Sequence, residues 1–312
     1  MAATTLRLDI PQLLEAPVTL TVVVPPSWCT GSPLPAKSIP HKFEIFEELC
    51  RDAAYVFRGR LQLEASDDAT IDAICKLSWN AEEAVKASLD VEAGYYTSQL
   101  LTLQGRAVPH FFGLYTCESP NDEEDQPVSC IILQDGGDRI PYAMFSMNDE
   151  DPVCSRQIVK ALLEIHSVGL LPHEFNAKSV VHRHEAAAPD EHVQAFIVGF
   201  GHAQLHDCRF PFQGGIDRVR MKDWEPDVMD FGCQHLFYNL HQLGIWIPRT
   251  ISFLGRGFST QMLRSAEMLA QCSADVMKRG TKEDYMPRAT TAYEAFHEKY
   301  GQRITQFGWL SK

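Results

Sequence analysis

Basic residues are scarce: 28 Lys plus Arg stand against 41 Asp plus Glu, a net charge of −13 over 312 residues. That sign repels nucleic-acid phosphates and anionic lipid, so neither nucleic acid nor membrane is expected as a partner. Long apolar runs are lacking too. Val22-Val23-Val24 is typical, far below the roughly 18 to 20 residues of a membrane-spanning helix. The opening MAATTLRLDI has no basic region leading into an apolar stretch, so no targeting signal is expected from it. The nine cysteines contain no C-x-x-C pair and are scattered through apolar runs. This argues against a disulfide framework or a zinc site and for reduced thiols in a cytoplasmic or nuclear compartment.

What is present is ample apolar material, 45% of residues, enough for a substantial core. Residues 1–40 hold a β-branched run, Val18 to Val24, then a Pro/Ser/Gly segment, and read as an N-terminal extension and linker. From Lys42 three apolar stretches follow, Phe43 to Leu49, Ala53 to Leu63 and Thr70 to Trp79, which predict a three-stranded meander. Asn80, as N-cap, opens a stretch rich in Ala, Glu, Lys and Leu that predicts a long helix reaching about Leu103. Two further strands, Val108 to Tyr115 and Val128 to Leu133, flank the acidic loop Glu118 to Asp125, a solvated surface. Helical spacing dominates afterwards, in Val153 to Ser167, Phe231 to Leu243 and Gln261 to Lys278. Two short strands around Ser179–His182 and Val193–Val198 interrupt it. No internal repeat is visible.

Six short stretches, in order, carry a resemblance. Ile74-Cys75-Lys76 is similar to the third-strand lysine motif of protein kinases, and Glu92 stands where its helix partner belongs. Leu103 to Pro109 resembles the turn into the fourth strand, and Ile132-Leu133-Gln134-Asp135-Gly136-Gly137 the fifth strand and hinge. Ile165 to Gly169 is similar to the helix end before a catalytic loop, and Asp227 to Gly232 to the helix segment that anchors that loop. The chain over roughly residues 41–245 thus resembles the protein kinase-like superfamily, and in particular kinase-like sequences common in fungi. The resemblance implies an α+β bilobal fold. Residues 41–135 would form an N-lobe of antiparallel sheet plus one helix, and 136–312 a mainly helical C-lobe.

It also implies site residues. Lys76, Glu92, Leu133 and Asp135 become the nucleotide-site equivalents, with ATP as the ligand. A Lys–Glu pair has two readings, phosphate contact or a structural clamp between strand and helix, and both stay open. Glu174 takes the catalytic aspartate position. Ser179 replaces the asparagine that binds the second metal, and Gly199, in Gly199-Phe200-Gly201, replaces the metal-binding aspartate. The segment Leu49 to Phe57, where a phosphate-covering loop belongs, contains no glycine.

Magnesium takes oxygen ligands, mostly carboxylates and phosphate, so binding of Mg²⁺ is expected to be weak or lost. The histidine pairs His182/His184 and His202/His206 have no accompanying ligand cluster in sequence and read as surface residues. Cys75 and Cys233 read as core thiols. The expected function is a catalytically impaired kinase-like protein, a pseudokinase, with weak or absent nucleotide binding, serving as a binding or scaffolding module for protein partners. The alternative is a divergent ATP-dependent phosphotransferase with Glu174 as base.

Overall fold

In Thr5–Asp9 (β1) two leucines alternate with polar residues, and Leu6 and Leu8 are fully buried while Thr5 and Arg7 are exposed. That period of two is a strand with one face turned to a core. The computed structural model, to which β1 belongs, describes residues 5–10, 17–26, 39–51, 54–63, 66–79, 83–117, 128–141, 152–184 and 193–306. The acidic loop, Asn80, Asp52 with Ala53, and residues 185–192 lie outside them. The chain divides into two compact units, residues 1–141 with 156–208, and residues 142–155 with 209–312.

The first unit is built on seven strands: β1, Val18–Val24 (β2), Pro40–Arg51 (β3), Tyr55–Leu63 (β4), Ser66–Ser78 (β5), Phe111–Cys117 (β6) and Val128–Gln134 (β7). They form a closed barrel in the order β1-β2-β6-β7-β5-β4-β3. Neighbours run antiparallel except at the closure, where β1 and β3 pair in parallel with Leu8 opposite Phe43. Alternate side chains fill the interior: Phe43, Phe57, Leu61, Cys75, Leu77, Phe112, Tyr115, Cys130 and Ile132 meet Leu6, Leu8 and Leu20 there. Burial pushes the Cys75 thiol well up, with the neighbouring Cys130 adding to the shift, so Cys75 is an inert core thiol.

The helix Glu83–Thr97 (α1) lies against β6 and β7, burying Leu89, Glu92, Ala93 and Tyr96. It ends short of Leu103, in the short 3-10 turn Leu101–Leu103. With cover on both faces, β7 reads as a continuous apolar run and is buried along its whole length. Beyond the barrel come Asp138–Arg139 (β8), the helix Pro152–Ser167 (α2), Leu170–Leu171 (β9), Val180–His184 (β10), Val193–Ile197 (β11) and Gln204–Leu205 (β12). β11-β10-β8 form one small sheet, and β12 pairs with β9.

The closed barrel overturns the bilobal kinase-like fold expected from the resemblance. The expected α+β arrangement needs an antiparallel N-terminal sheet with free edges followed by a mainly helical lobe. Here β1 and β2, from the stretch read as an extension, join the first strand of the meander to the last pair and leave no edge strand.

The second unit has its own core of Ile247, Phe253, Phe258, Leu263, Leu269, Phe296 and Ile304. It contains the helices Gln234–Gln242 (α3), Ala266–Met277 (α4) and Lys282–Gln306 (α5), and a hairpin of Thr250–Phe253 (β13) and Arg256–Ser259 (β14). Ser265 caps α4 by accepting from the Met268 amide at 3.1 Å. Among the described residues no helix is long and apolar enough to cross a membrane.

One ion pair in this unit sets a pH dependence. His241 Nδ1 lies 2.8 Å from Glu225 Oε1. The hydrogen bond to Glu225 raises the imidazole from its usual 6.5, against a lowering by burial. Burial would raise Glu225 from 4.5, but His241 and the Arg249 amide outweigh it and hold the carboxyl below that value. The raised His241 contributes stability that is complete below pH 6.5 and fades as pH rises through its folded value. The lowered Glu225 contributes stability complete above pH 4.5 that fades on acidification. The pair is therefore expected to act fully between these limits. His241→Gln should lower the melting point near pH 6 and leave it nearly unchanged near pH 8.5, by thermal denaturation at both.

Candidate functional site

Strand β5 shows why one lysine leaves the core. Cys75 and Leu77 point into the barrel, so Ile74 and Lys76 between and beside them point out. There Lys76 Nζ forms an ion pair with Glu92 of α1, whose side chain is 1% exposed against 21% for the lysine. Ile74 and Lys76 also line a cavity of about 460 Å³ in the first unit. Of the sequence-predicted residues, Lys76, Leu133, Glu174, Ser179 and Gly199 all face this cavity, and Glu92 reaches it through Lys76. Sequence positions spread over more than a hundred residues thus converge on one hollow.

Asp135 does not line it. Arg58 holds this carboxylate at 2.8 Å, and Asp135 Oδ1 accepts from the Gly137 amide at 2.8 Å. Arg58 also reaches Glu47 at 2.9 Å, Asp138 at 3.0 Å and the Gly137 carbonyl at 3.0 Å. Burial would weaken the basicity of Arg58, but these acids more than compensate and raise it. Asp135 therefore shapes the turn at Gly136 and Gly137, which do face the cavity. Only glycine fits at Gly137: its φ is +93°, and a Cβ would stand 2.1 Å from the His182 carbonyl oxygen.

On the other wall, Asn176 and Ser179 close a reciprocal capping box. Asn176 Oδ1 accepts from the Lys178 amide at 2.8 Å. Ser179 Oγ donates to the Asn176 carbonyl at 2.8 Å and accepts from its amide at 3.0 Å. Ser179 is committed to the backbone, so it is poorly placed to serve a cation. Gly199, at φ +89°, has no atom within 4 Å of where a Cβ would sit, and it offers no ligand. Glu174 is 77% exposed, with His173 Nδ1 4.0 Å away. Phe200 packs inward, edge to face on Tyr96 at 6.0 Å, which fixes the segment that carries Gly199.

The lining holds more basic than acidic side chains, although Lys76 is already paired with Glu92 and Arg58 with Glu47, Asp135 and Asp138. Arg58, Lys76, Arg139 and Lys178 face the cavity against two carboxylates, Asp138 and Glu174, among apolar walls from Leu49, Val56, Ile74, Leu133, Val181 and Val198. Such a hollow suits a flat apolar body carrying an anionic group.

The histidines pair differently from their spacing. His202 lies beside His173, ring centroids 6.1 Å apart, and both face the cavity. His206 instead stands 5.6 Å from His166 at an interplanar angle of 83°, with Cys208 close by. Sequence reading missed this grouping because His166 is 40 positions before His206 in the chain. The H-x-C spacing of His206 and Cys208 was the available signal, since alternate residues of an extended segment share a face. His182 Nδ1 lies 3.2 Å from the Asp138 carbonyl.

No protein-family model matches the chain, and a search of curated proteins finds no match.

Proposed function

We propose that this protein is a catalytically impaired kinase-like module, a pseudokinase, that holds a nucleotide or a similar anion without metal and serves as a scaffold for protein partners. The reading rests on the site residues and not on the architecture. One observation carries it: Lys76, paired with buried Glu92, faces the same cavity as Ser179 and Gly199. The cation that would meet a phosphate is kept, while the two positions assigned to metal ligands offer none.

The magnitudes favour binding over transfer. Metal stabilisation of a phosphoryl transition state is worth several kcal/mol, and each 1.36 kcal/mol is about tenfold in rate. Loss of the metal therefore removes orders of magnitude that exposed Glu174 cannot restore. Among the described residues, neither position assigned to a metal ligand carries a carboxylate, which weighs against the phosphotransferase alternative.

ATP is expected to raise the melting temperature equally with EDTA and with Mg²⁺. At about 100 times the dissociation constant the stabilisation is about 2.7 kcal/mol, a shift of several degrees. No phosphate should be released. Magnesium-dependent turnover that disappears in Glu174→Ala would sink the proposal, and so would the absence of a shift with any nucleotide.

A further inference from the structure

Three side chains apart from the cavity have the donor chemistry of a metal centre. His166 is buried in the last turn of α2, and His206 and Cys208 are half-buried just past β12. One ligand atom from each lies within 4.8 Å of the others. On a tetrahedral zinc, with Zn–N of about 2.0 Å and Zn–S of about 2.3 Å, donor atoms stand roughly 3.3 to 3.5 Å apart. A contraction of at most about 1.5 Å, within reach of side-chain rotations, closes the observed group onto one ion. The two rings, 5.6 Å apart and nearly perpendicular, are not stacked face to face.

We infer that His166, His206 and Cys208 form a structural zinc site, with a further donor or water completing the tetrahedron. The donor set selects the metal: two imidazoles and a thiolate, without a carboxylate oxygen, suit zinc and exclude the hard cations Mg²⁺ and Ca²⁺. The backbone around the site is already held. The His206 amide donates to the Gly169 carbonyl at 2.8 Å, and β12 pairs with β9 through Gln204 with Leu171 and Leu205 with Leu170.

Position gives the site its purpose. The cavity wall from His173 to Ser179 begins two residues after β9, and the wall carrying Gly199 and His202 ends two residues before β12. A zinc ion there ties the end of α2 to the segment just past β12, and through the β12–β9 pairing it sits at the roots of both walls. It holds them in place without touching a ligand of the cavity.

The test is metal content of the full chain produced with supplemental zinc and desalted before elemental analysis. About one zinc per chain is expected. Cys208→Ser and His206→Asn should each cut this at least tenfold, whereas Cys208→His and the control Cys50→Ser should keep it. Cobalt titrated into the chelator-stripped wild-type chain should give a thiolate-to-cobalt charge-transfer band. Chelator should also lower the wild-type melting point and expose Cys208 to alkylation. These wild-type measurements decide the matter even if a variant fails to fold. A chain that takes up no zinc or cobalt overturns the inference, as does copper held in preference to zinc, or zinc content unchanged in both ligand variants.

Discussion

Lys76→Met is expected to destabilise the first unit by about 3 to 5 kcal/mol, the cost of leaving a buried charge without its partner. Glu92 is 1% exposed and sits in α1 beside Leu89, Ala93 and Tyr96. Burial first, and the Glu92 charge second, push the Tyr96 phenol well up, so this side of the helix already disfavours another negative charge. Glu92→Leu should cost less, because Lys76 is 21% exposed and its ammonium can turn to water. The double variant Lys76→Met with Glu92→Leu should recover most of the loss, since a buried ion pair replaced by apolar groups of similar volume is often neutral or better. Urea unfolding of the four proteins completes the cycle. A loss under about 1 kcal/mol for Lys76→Met would show that the pair is no clamp. Adding ATP separates the two readings of the pair. If Lys76 also meets the ligand, the stable double variant loses the nucleotide-induced shift.

The second large effect concerns the N-terminal strands. A chain begun at Ile39 lacks β1 and β2, and with them Leu6, Leu8, Ile10, Val18 and Leu20, all between 0% and 5% exposed. Burial of each such side chain is worth about 1.5 to 3 kcal/mol. Together they contribute roughly 10 kcal/mol, comparable to the whole stability of a typical domain. The shortened chain is expected to lose cooperative unfolding and to aggregate. Leu8→Ala and Leu20→Ala, single cavities in the intact chain, should each cost about 2 to 5 kcal/mol. Were residues 1–40 a mere extension, circular dichroism and melting of the shortened chain would match those of the full one.

Local pattern was legible, and long-range pairing was not. The meander of β3, β4 and β5 follows from alternation alone, and α1 from its run of good helix formers. The structure pairs Lys76 with Glu92 and gathers Leu133, Glu174, Ser179 and Gly199 about one cavity, positions singled out in the sequence by motif. Barrel closure depends on Leu8 meeting Phe43 in parallel, a pairing across 35 positions that no periodicity records. The hairpin of β13 and β14 was hidden for a different reason. Its turn places Leu254 at φ +52° and Gly255 at φ +75°, and leucine is not a residue that announces a left-handed turn. Gly255-Arg256-Gly257 has the composition of a loop, yet Arg256 and Gly257 begin a strand. The pairing of Asp135 with Arg58 was not legible either, because the reach of Arg58 from β4 is invisible in sequence.

Barrel closure also decides how another polypeptide can dock. Each of the seven strands has a neighbour on both sides for at least part of its length, so among the described residues the open edges of the barrel are overhangs such as residues 45–51 of β3, which pair with β4 alone. Within the described part of the first unit, strand addition has those overhangs and the borders of the small β11-β10-β8 and β12-β9 sheets to use. Barrel closure thus shortens the edges open to strand pairing to a few residues on each overhang.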